Sequence, residues 1–408
     1  MSRYVSAYDL VPVDEALAIV QRVVRPLPSE RVRTDAADGR ILAEDLRSPE
    51  NVPPFRASTV DGFAVIADDP SPSLKVIQEI MAGVVARPRV ERGTAARIMT
   101  GAPLPEGADA VAMIEHTRTE NGQVMLDRPV RQNDNIRPIG IDVAEGDVTL
   151  QRGATIGAAE IGLLMTLGFS EVSCYRRPTV AVLSTGDELV EPWEAVPLGS
   201  IRDSNRYAIM AAIREAGAVP ISMGRAKDDR ELQTRLVREG IDKADVLVTS
   251  GGVSMGDRDY IKPTLAEIGT VHFGRIAFRP GMPLTFAEIG EKVAFGLPGN
   301  PVSSLVTFEV FVRPALRAMQ GDRNPLRPRV DVVLEHDVRL GGDRLEYHRA
   351  IVHWDKGRLL ARSTGLQISS RLLSMAGHNA MLIIQPGDDV VKAGDQIPAI
   401  LTGPIQSN

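Results

Sequence analysis

Polar, glycine-rich or acidic turns follow four predicted strands in the middle of the 408-residue chain. The turns comprise residues 184–188, 224–229, 250–259 and 296–303. In a doubly wound parallel sheet, the carboxyl ends of the strands line one edge, and ligands bind in the crevice there. The spacing therefore predicts that all four turns contribute to a single site.

The composition of these turns indicates phosphate and a cation. The Ser250-Gly251-Gly252 turn lets backbone N–H groups approach a phosphate closely, because glycine has no side chain. The helix after Asn300-Pro301 offers a free N-terminal turn to an oxyanion. Acidic residues lie among the same turns, namely Asp187, Glu188, Asp228, Asp229, Asp257 and Asp259. Because carboxylates repel phosphates unless a cation separates them, the pattern predicts a Mg²⁺-dependent phosphate-ester or nucleotide site.

Structural interpretations compete with this one. Glycines after strands are commonly only turns, and aspartates at helix starts are often caps. We therefore interpret Asp229 as a helix cap rather than a ligand. Asp203 and Asn205 precede a predicted helix, and capping would explain only one of them. The joint occurrence of such residues at four strand ends favours a functional site.

Several function classes are excluded by composition and motifs. The chain has 47 Lys and Arg against 53 Asp and Glu, which argues against a dedicated nucleic-acid-binding protein. The sequence lacks a P-loop, a G-x-S-x-G elbow and an H-E-x-x-H motif. The single cysteine excludes an internal disulfide. We see no secretory signal pattern and no apolar run of about 18 residues, so we expect a cytoplasmic protein with no membrane span.

The elements that position the turns alternate between strands and amphipathic helices, which predicts a doubly wound parallel sheet. Strands are predicted at 179–183, 219–223, 246–249 and 293–295. Helices are predicted at 206–216, 230–238, 261–268 and 303–319.

We expect a multidomain protein of the α/β plus β class. A helical domain, discontinuous over residues 1–46 and 141–177, is interrupted by a β-rich insert domain at 47–140. A central α/β domain covers 178–326, and a small barrel-like β domain covers 327–408.

Six motifs in a fixed order carry a family resemblance. They lie at residues 53–64, 99–111, 137–147, 184–188, 250–259 and 297–303. The first contains Pro53-Pro54-Phe55 and Ser58-Thr59-Val60-Asp61-Gly62-Phe63-Ala64, and the second begins Met99-Thr100-Gly101-Ala102-Pro103. With these motifs, almost the whole chain resembles the molybdopterin molybdenumtransferase family, which includes MoeA-type proteins and the gephyrin E domain.

The resemblance implies a fold, a reaction and partners. Members are elongated homodimers of four domains, in which the β insert of one subunit faces the molybdopterin-binding α/β domain of the other. The reaction inserts molybdate into adenylylated molybdopterin and releases AMP, with Mg²⁺ present. Molybdopterin adenylyltransferase and apo-molybdoenzymes or their chaperones are implied as partners.

The resemblance also implies residue roles. Catalytic roles fall to Asp61, Thr100, Asp142, Glu188, Asp228 and Asp259, of which Asp228 and Asp259 would bind Mg²⁺. Phosphate or pterin binding falls to Ser250, Gly251, Gly252 and Ser254, with Asp187 nearby. An oxyanion pocket is expected from Pro298, Asn300, Pro301 and Ser303 beside Arg275 and Arg279, and Arg349 and Ser369 match positions that reach the ligand.

The sequence departs from the family pattern near this pocket. Arg275 and Arg279 stand where lysines are usual, and they would bind an oxyanion with a planar fork rather than a point charge. Met282 replaces a usual lysine, so one charge is lost. Ile368 and Ser370 replace usual glycines.

Two other functions remain open from the sequence. The first is a non-catalytic dimeric carrier or scaffold that binds molybdopterin or the molybdenum cofactor. The second is a paralogue that inserts tungstate. The acidic residues favour catalysis, because a scaffold has no need of them.

Overall fold

The computed structural model describes residues 8–83, 89–252, 260–340 and 342–407. They form two compact units. The α/β unit contains the residues up to 31, residues 39–43 and the residues from 173 onward, and the insert unit contains residues 32–38 and 44–172. No helix in the described ranges combines the length and the apolar character needed to span a bilayer.

A six-stranded sheet forms the centre of the α/β unit. Its strands lie in the order Val219–Ala226, Thr179–Thr185, Val246–Ser250, Lys292–Leu297, Thr285–Ile289 and Thr270–Phe273. The first four strands are parallel, and each of the last two runs antiparallel to its neighbour. The parallel strands agree with the sequence analysis, whereas the two antiparallel strands were not predicted.

Helices cover both faces of this sheet, because alternate strand residues enter two different hydrophobic cores. Val182 lies in one core together with the helix Asn205–Glu215. Leu183 lies in the other core together with the helix Arg230–Lys243. The other helices of the unit are Val13–Val23, Ile261–Ile268, Pro301–Thr307 and Arg313–Met319, with a π-helical turn at Phe308–Val312 and a 3₁₀ turn at Leu372–Met375.

The start of the helix Arg230–Lys243 confirms one interpretation from the sequence. Asp229 precedes the helix, and its Oδ1 accepts a hydrogen bond from the Leu232 N–H at 2.7 Å. The side chain thereby satisfies a backbone donor that has no partner inside the helix. Asp229 is a helix cap.

A second sheet lies C-terminal to these helices and closes on itself. Its strands Leu345–Asp355, Arg358–Ser363, Arg329–Leu334, Gln396–Leu401 and Ala380–Ile384 pair in this order, and the last pairs again with the first. The alternating inward residues fill a separate hydrophobic core. The result is the barrel-like domain expected from the sequence.

Two short strands extend the closed sheet. Phe278–Arg279 pairs in parallel with Leu345 and Glu346, and Gln406–Ser407 pairs in parallel with the same long strand. The first of these comes from the chain between the antiparallel strands of the central sheet. It therefore connects the two sheets of the α/β unit by backbone hydrogen bonds.

The insert unit is built on a six-stranded sheet of its own. The strand order is Ala110–Met113, Gly62–Val65, Thr94–Ile98, Leu74–Ile80, Gln123–Leu126 and Thr117–Glu120. Gly62 must be glycine, because a Cβ there would overlap the backbone carbonyl of Ala112. The unit also contains the helix Ala158–Thr166 and 3₁₀ turns at Thr34–Ala36 and Ile114–His116.

The remaining strands are short. In the insert unit, Leu46–Arg47 pairs with Val148–Leu150 and Ala57–Ser58 pairs with Ile136–Arg137. In the α/β unit, Leu189–Val190 pairs with Ile201–Arg202 and Val338–Arg339 pairs with Val390–Val391. Two further strands, Ser29–Arg33 and Glu171–Tyr175, include two of the four positions at which the chain passes from one unit to the other.

Candidate functional site

A cavity of about 330 Å³ opens at the carboxyl edge of the central sheet. We name it the sheet-edge cavity. Turns after all four parallel strands contribute to its wall. Of the residues singled out in the sequence, it is lined by Glu188, Asp228, Ser250, Gly251, Gly252, Pro298 and Pro301. The strand-end turns thus lie around one space, which is the location that parallel topology provides for a ligand.

The two glycines at this edge are required by their close approach to Thr185. Gly251 and Gly252 have φ angles of +87° and +65°, which L residues with side chains rarely adopt. A Cβ on Gly251 would lie 2.7 Å from the Thr185 carbonyl oxygen. The Gly251 N–H donates to the Leu297 carbonyl at 3.0 Å, so it belongs to the sheet. A phosphate cradle at this turn therefore cannot depend on the Gly251 N–H.

Carboxylates lie beside these glycines. Glu188 and Asp228 line the cavity, and the Asp228 N–H donates to Asp187 Oδ1 at 3.1 Å. Asp187 thereby fixes the loop that carries Asp228. The described residues contain no cluster of three or more acidic, histidine or cysteine side chains that could hold a metal alone. Asp259 and Ser254 lie outside the described residues.

Thr185 is a cavity residue that the sequence analysis did not single out. It is the last residue of its strand and lines the cavity. Its Oγ1 is buried and has no hydrogen-bond partner among the described residues. Because a buried hydroxyl without a partner is destabilising, this atom is suited to a ligand oxygen.

A buried ion-pair network supports one side of the cavity. Asp203 lines the cavity, accepts from Ser184 Oγ at 3.0 Å, and pairs with Arg206 Nε at 3.0 Å. The other end of the Arg206 guanidinium pairs with Glu191 at 2.6 Å. Burial alone would lower the pKa of Arg206, but Glu191 and Asp203 outweigh it and raise that pKa. The positive charge of Arg206 is therefore balanced by two carboxylates.

A second cavity of about 380 Å³ lies next to the first and shares Pro283 and Pro298 with it. We name it the arginine cavity. Among the predicted residues it is lined by Arg279, Pro298, Asn300, Ser303, Arg349 and Ser369. Asn300 Nδ2 donates to Ser369 Oγ at 3.3 Å, and the Val302 N–H donates to the Ser369 carbonyl. These bonds hold the loop with Ile368 and Ser370 against the helix Pro301–Thr307, although both usual glycines are absent.

Arg349 dominates the electrostatics of the arginine cavity. Its side chain is fully buried, and its Nε and Nη2 each lie 3.2 Å from Ser374 Oγ. No carboxylate of the described residues forms an ion pair with it. Burial lowers the pKa of Arg349 to about 10, so the group stays protonated at neutral pH. A buried cation without a paired anion is suited to bind an anionic ligand.

The other two predicted arginines have different surroundings. Arg279 lines the arginine cavity but is paired with Asp343 at 2.9 Å and Glu346 at 3.2 Å. Arg275 does not line the cavity, and its Nη2 lies 3.7 Å from the Met282 sulfur. Arg344 donates to the same sulfur at 3.0 Å. The neighbourhood of Met282 therefore stays cationic despite the lost lysine.

Three predicted residues belong to the insert unit, where they form two exposed polar pairs. Asp61 Oδ1 accepts from the Thr100 N–H at 2.7 Å and from Thr100 Oγ1 at 2.8 Å. These hydrogen bonds hold the pKa of Asp61 below its ordinary value. Asp142 pairs with Arg137 at 3.6 Å.

Among the residues of the sheet-edge cavity that sequence reasoning missed or gave no role are Thr185, Asp203 and Asn205. The signal for Thr185 is its position at a strand end directly before Gly186. Asp203 and Asn205 carried only the ambiguous signal of a helix start.

Comparison with protein families covers most of the chain. Residues 11–168 match the MoeA N-terminal region (domain I and II). Residues 181–318 match a probable molybdopterin binding domain, and residues 331–402 match the MoeA C-terminal region (domain IV).

Similar proteins agree with this match. Molybdopterin molybdenumtransferase of Bacillus subtilis is 36% identical over 403 residues, which cover 96% of this chain and 94% of that protein. Gephyrin of Dictyostelium discoideum is 36% identical over 464 residues, which cover 98% of this chain but 64% of that protein. A solved structure of the molybdopterin biosynthesis moeA protein of Pyrococcus horikoshii has a TM-score of 0.84 and 32% identity, and the match covers 97% of this chain and 100% of that one.

Proposed function

The chain belongs to the molybdopterin molybdenumtransferase family, which acts in molybdenum cofactor biosynthesis, and we propose that it inserts molybdate into adenylylated molybdopterin with release of AMP. The observation that carries the proposal is a pair of adjoining cavities with different charged groups in their walls. Carboxylates line the sheet-edge cavity, and the other cavity contains the buried Arg349, which forms no ion pair with the described residues although Glu346 in the same wall favours its charged form.

The arginine cavity is suited to molybdate. Arg349 supplies a fixed positive charge, and Ser303 and Ser369 supply hydroxyl groups in the same wall. An oxyanion bound there would replace the missing counter-charge of Arg349, and its oxygens would accept hydrogen bonds from the hydroxyls. A neutral or cationic ligand would provide no ion-pair partner for Arg349.

The sheet-edge cavity is suited to the adenylyl phosphate together with Mg²⁺. Asp228 and Glu188 lie in its wall, and the Thr185 hydroxyl has no described partner there. This donor set fits Mg²⁺, which is usually held by one or two carboxylates plus substrate phosphates rather than by a protein cage. When bound, the ion would offset the negative charge of the departing AMP phosphate.

The residues of the chain itself orient the substrate. Ser250 and Thr185 offer hydroxyl donors at the glycine turn, and the Asp187–Asp228 hydrogen bond fixes the loop after the neighbouring strand Val219–Ala226. Pro283 and Pro298 form the wall common to both cavities and have no backbone N–H to compete for ligand oxygens. A substrate that spans this wall would place its phosphate in one cavity and its dithiolene end at the other.

The proposal includes a homodimer. Family resemblance implies that the insert unit of the partner copy faces this site. The exposure of Asp61, Thr100 and Asp142 supports it, because these polar side chains are not buried in the core of their own unit.

Asp228→Asn tests the proposed reaction. This variant keeps the size of the side chain but loses its charge, so we expect AMP release to fall about 100-fold and to require more Mg²⁺. The assay is AMP release by the full chain from adenylylated molybdopterin, molybdate and Mg²⁺.

Asp229→Asn is the matched control. Asp229 is adjacent to Asp228 but does not line the cavity, and asparagine can also cap the helix. Equal turnover by Asp228→Asn and the wild type would refute the assignment of Asp228. Binding of molybdopterin without AMP release by the wild type would instead indicate a carrier.

A further inference from the structure

We propose that Asn205 is a positioning residue of the sheet-edge cavity, which joins two strand-end turns and directs the Ser250 hydroxyl toward a phosphate oxygen of the ligand. The inference rests on the proposed function, since it assumes that the adenylyl phosphate occupies this cavity.

The Asn205 amide connects two turns that follow different strands. Its Nδ2 lies 2.7 Å from Ser250 Oγ, at the end of Val246–Ser250. The same Nδ2 lies 2.7 Å from the Gly299 carbonyl oxygen, in the turn after Lys292–Leu297. An amide nitrogen has two hydrogens, and each is used by one of these bonds. Asn205 therefore joins two turns that follow neighbouring strands and lie side by side in the cavity wall.

Helix capping does not explain Asn205. Asn205 begins the helix Asn205–Glu215, but the side chain that accepts from its first turn is that of Asp203, whose Oδ1 accepts from the Arg206 N–H at 3.1 Å. The ambiguity in the sequence is thus resolved, because Asp203 serves the helix start and Asn205 serves the cavity wall.

The hydrogen bonds around Ser250 determine where its proton can go. Ser250 Oγ accepts from Asn205, so its own hydrogen must point elsewhere. The neighbouring Ser304 Oγ donates to the Pro298 carbonyl at 2.5 Å, which leaves it only as an acceptor. The Ser250–Ser304 distance is 3.4 Å, beyond the ordinary range of a hydroxyl hydrogen bond.

Ser250 therefore places a buried hydroxyl in the cavity wall, and the hydrogen of this hydroxyl has only a long contact to Ser304 as a hydrogen bond. A phosphate oxygen is a stronger acceptor than a serine hydroxyl because it is charged. A ligand phosphate at the glycine turn would accept this proton at a shorter distance. Loss of Asn205 would free Ser250 to rotate.

Variants of the full chain test this arrangement. Asn205→Asp is isosteric but removes both donor hydrogens, and Asn205→Ala removes the whole amide. We expect each to weaken AMP binding in calorimetric titration about tenfold and to raise KM for adenylylated molybdopterin by a similar factor. KM for molybdate should not change, because the arginine cavity lacks Asn205.

A double-mutant cycle with Ser250→Ala decides whether Asn205 acts through Ser250. If it does, Ser250→Ala alone and Asn205→Ala combined with Ser250→Ala should both show about the same tenfold loss. A double variant weakened about a hundredfold, the product of two independent effects, would overturn the proposal.

Asn379→Ala is the matched control. The Asn379 Nδ2 also bridges two carbonyl oxygens, those of Val352 and Pro404, both at 2.8 Å. Its loss should lower the melting temperature and leave AMP affinity unchanged. Wild-type AMP affinity in Asn205→Asp would refute the positioning role alone, whereas a wild type that neither binds AMP nor turns over would refute the proposed function as well.

Discussion

Replacement of Arg349 by methionine should stabilise the protein while it impairs molybdate binding. The side chain is fully buried, and burial lowers its pKa to about 10. The difference from the ordinary arginine value corresponds to about 3 kcal/mol that disfavours the charged form in the folded state. The hydrogen bonds to Ser374 are 3.2 Å long and offset part of this amount. We therefore expect Arg349→Met to raise the free energy of unfolding by about 1–3 kcal/mol.

Arg206→Met is the matched control, since Arg206 is also buried but is paired with two carboxylates. Its removal would leave Asp203 without an ion-pair partner and Glu191 with only Arg225, whose Nε lies 3.9 Å away. We expect that variant to lose about 3–5 kcal/mol. The same substitution at two buried arginines should therefore change stability in opposite directions.

The measurement is urea denaturation of both variants at pH 7, with molybdate binding by calorimetry for Arg349→Met. Binding should fall at least about tenfold, because the fixed cation is gone. If Arg349→Met lowers stability as much as Arg206→Met does, then the guanidinium is compensated within the free protein. In that case Arg349 would not require a bound anion as its counter-charge.

Two further predictions concern the dimer and acid stability. If the insert unit of the partner completes the site, an equal mixture of Asp61→Asn and Asp228→Asn chains should regain about a quarter of wild-type AMP release. The reason is that half of the dimers then combine both variants and carry one intact site. No recovery after subunit exchange would contradict a site formed by both subunits. Burial would raise the pKa of Asp245, but Arg176 and Thr179 outweigh it and hold that pKa below its ordinary value. The stabilisation is therefore complete above the unfolded pKa and is lost as pH falls through the lower folded pKa. Asp245→Asn should lose about 2 kcal/mol at pH 7, and this difference should shrink below about pH 4 in urea denaturation; a difference that does not depend on pH would contradict the assignment.

The central sheet was predictable where a strand contains a run of apolar residues. Strands such as Val246–Ser250 are buried along their whole length, and this strand starts with the apolar run Val246–Val248. The antiparallel strands Thr270–Phe273 and Thr285–Ile289 are short and carry polar residues, so no such run marks them. The predicted helix 303–319 is interrupted by a π-helical turn just before Pro314, which has no N–H to continue the regular hydrogen-bond pattern.

The site was predictable as a set of strand ends but not as a set of contacts. Topology brings Asp228, Ser250 and Pro298 to one cavity, and each follows a strand that the sequence reveals. Nothing local shows that Gly251 donates its N–H to Leu297 or that Asn205 reaches Ser250 and Gly299. Such bonds join residues that lie far apart in sequence, so only the folded chain defines them.

The strand Phe278–Arg279 has a consequence for attempts to divide the protein. It pairs with Leu345 and Glu346, so a strand of the preceding domain forms part of the sheet of the C-terminal barrel. A fragment that stops before residue 327 would lose this partner and remove Arg349 and Ser369 from the oxyanion pocket. Shortened chains would therefore contain only part of the pocket, and the affinity for an oxyanion has to be measured on the intact polypeptide.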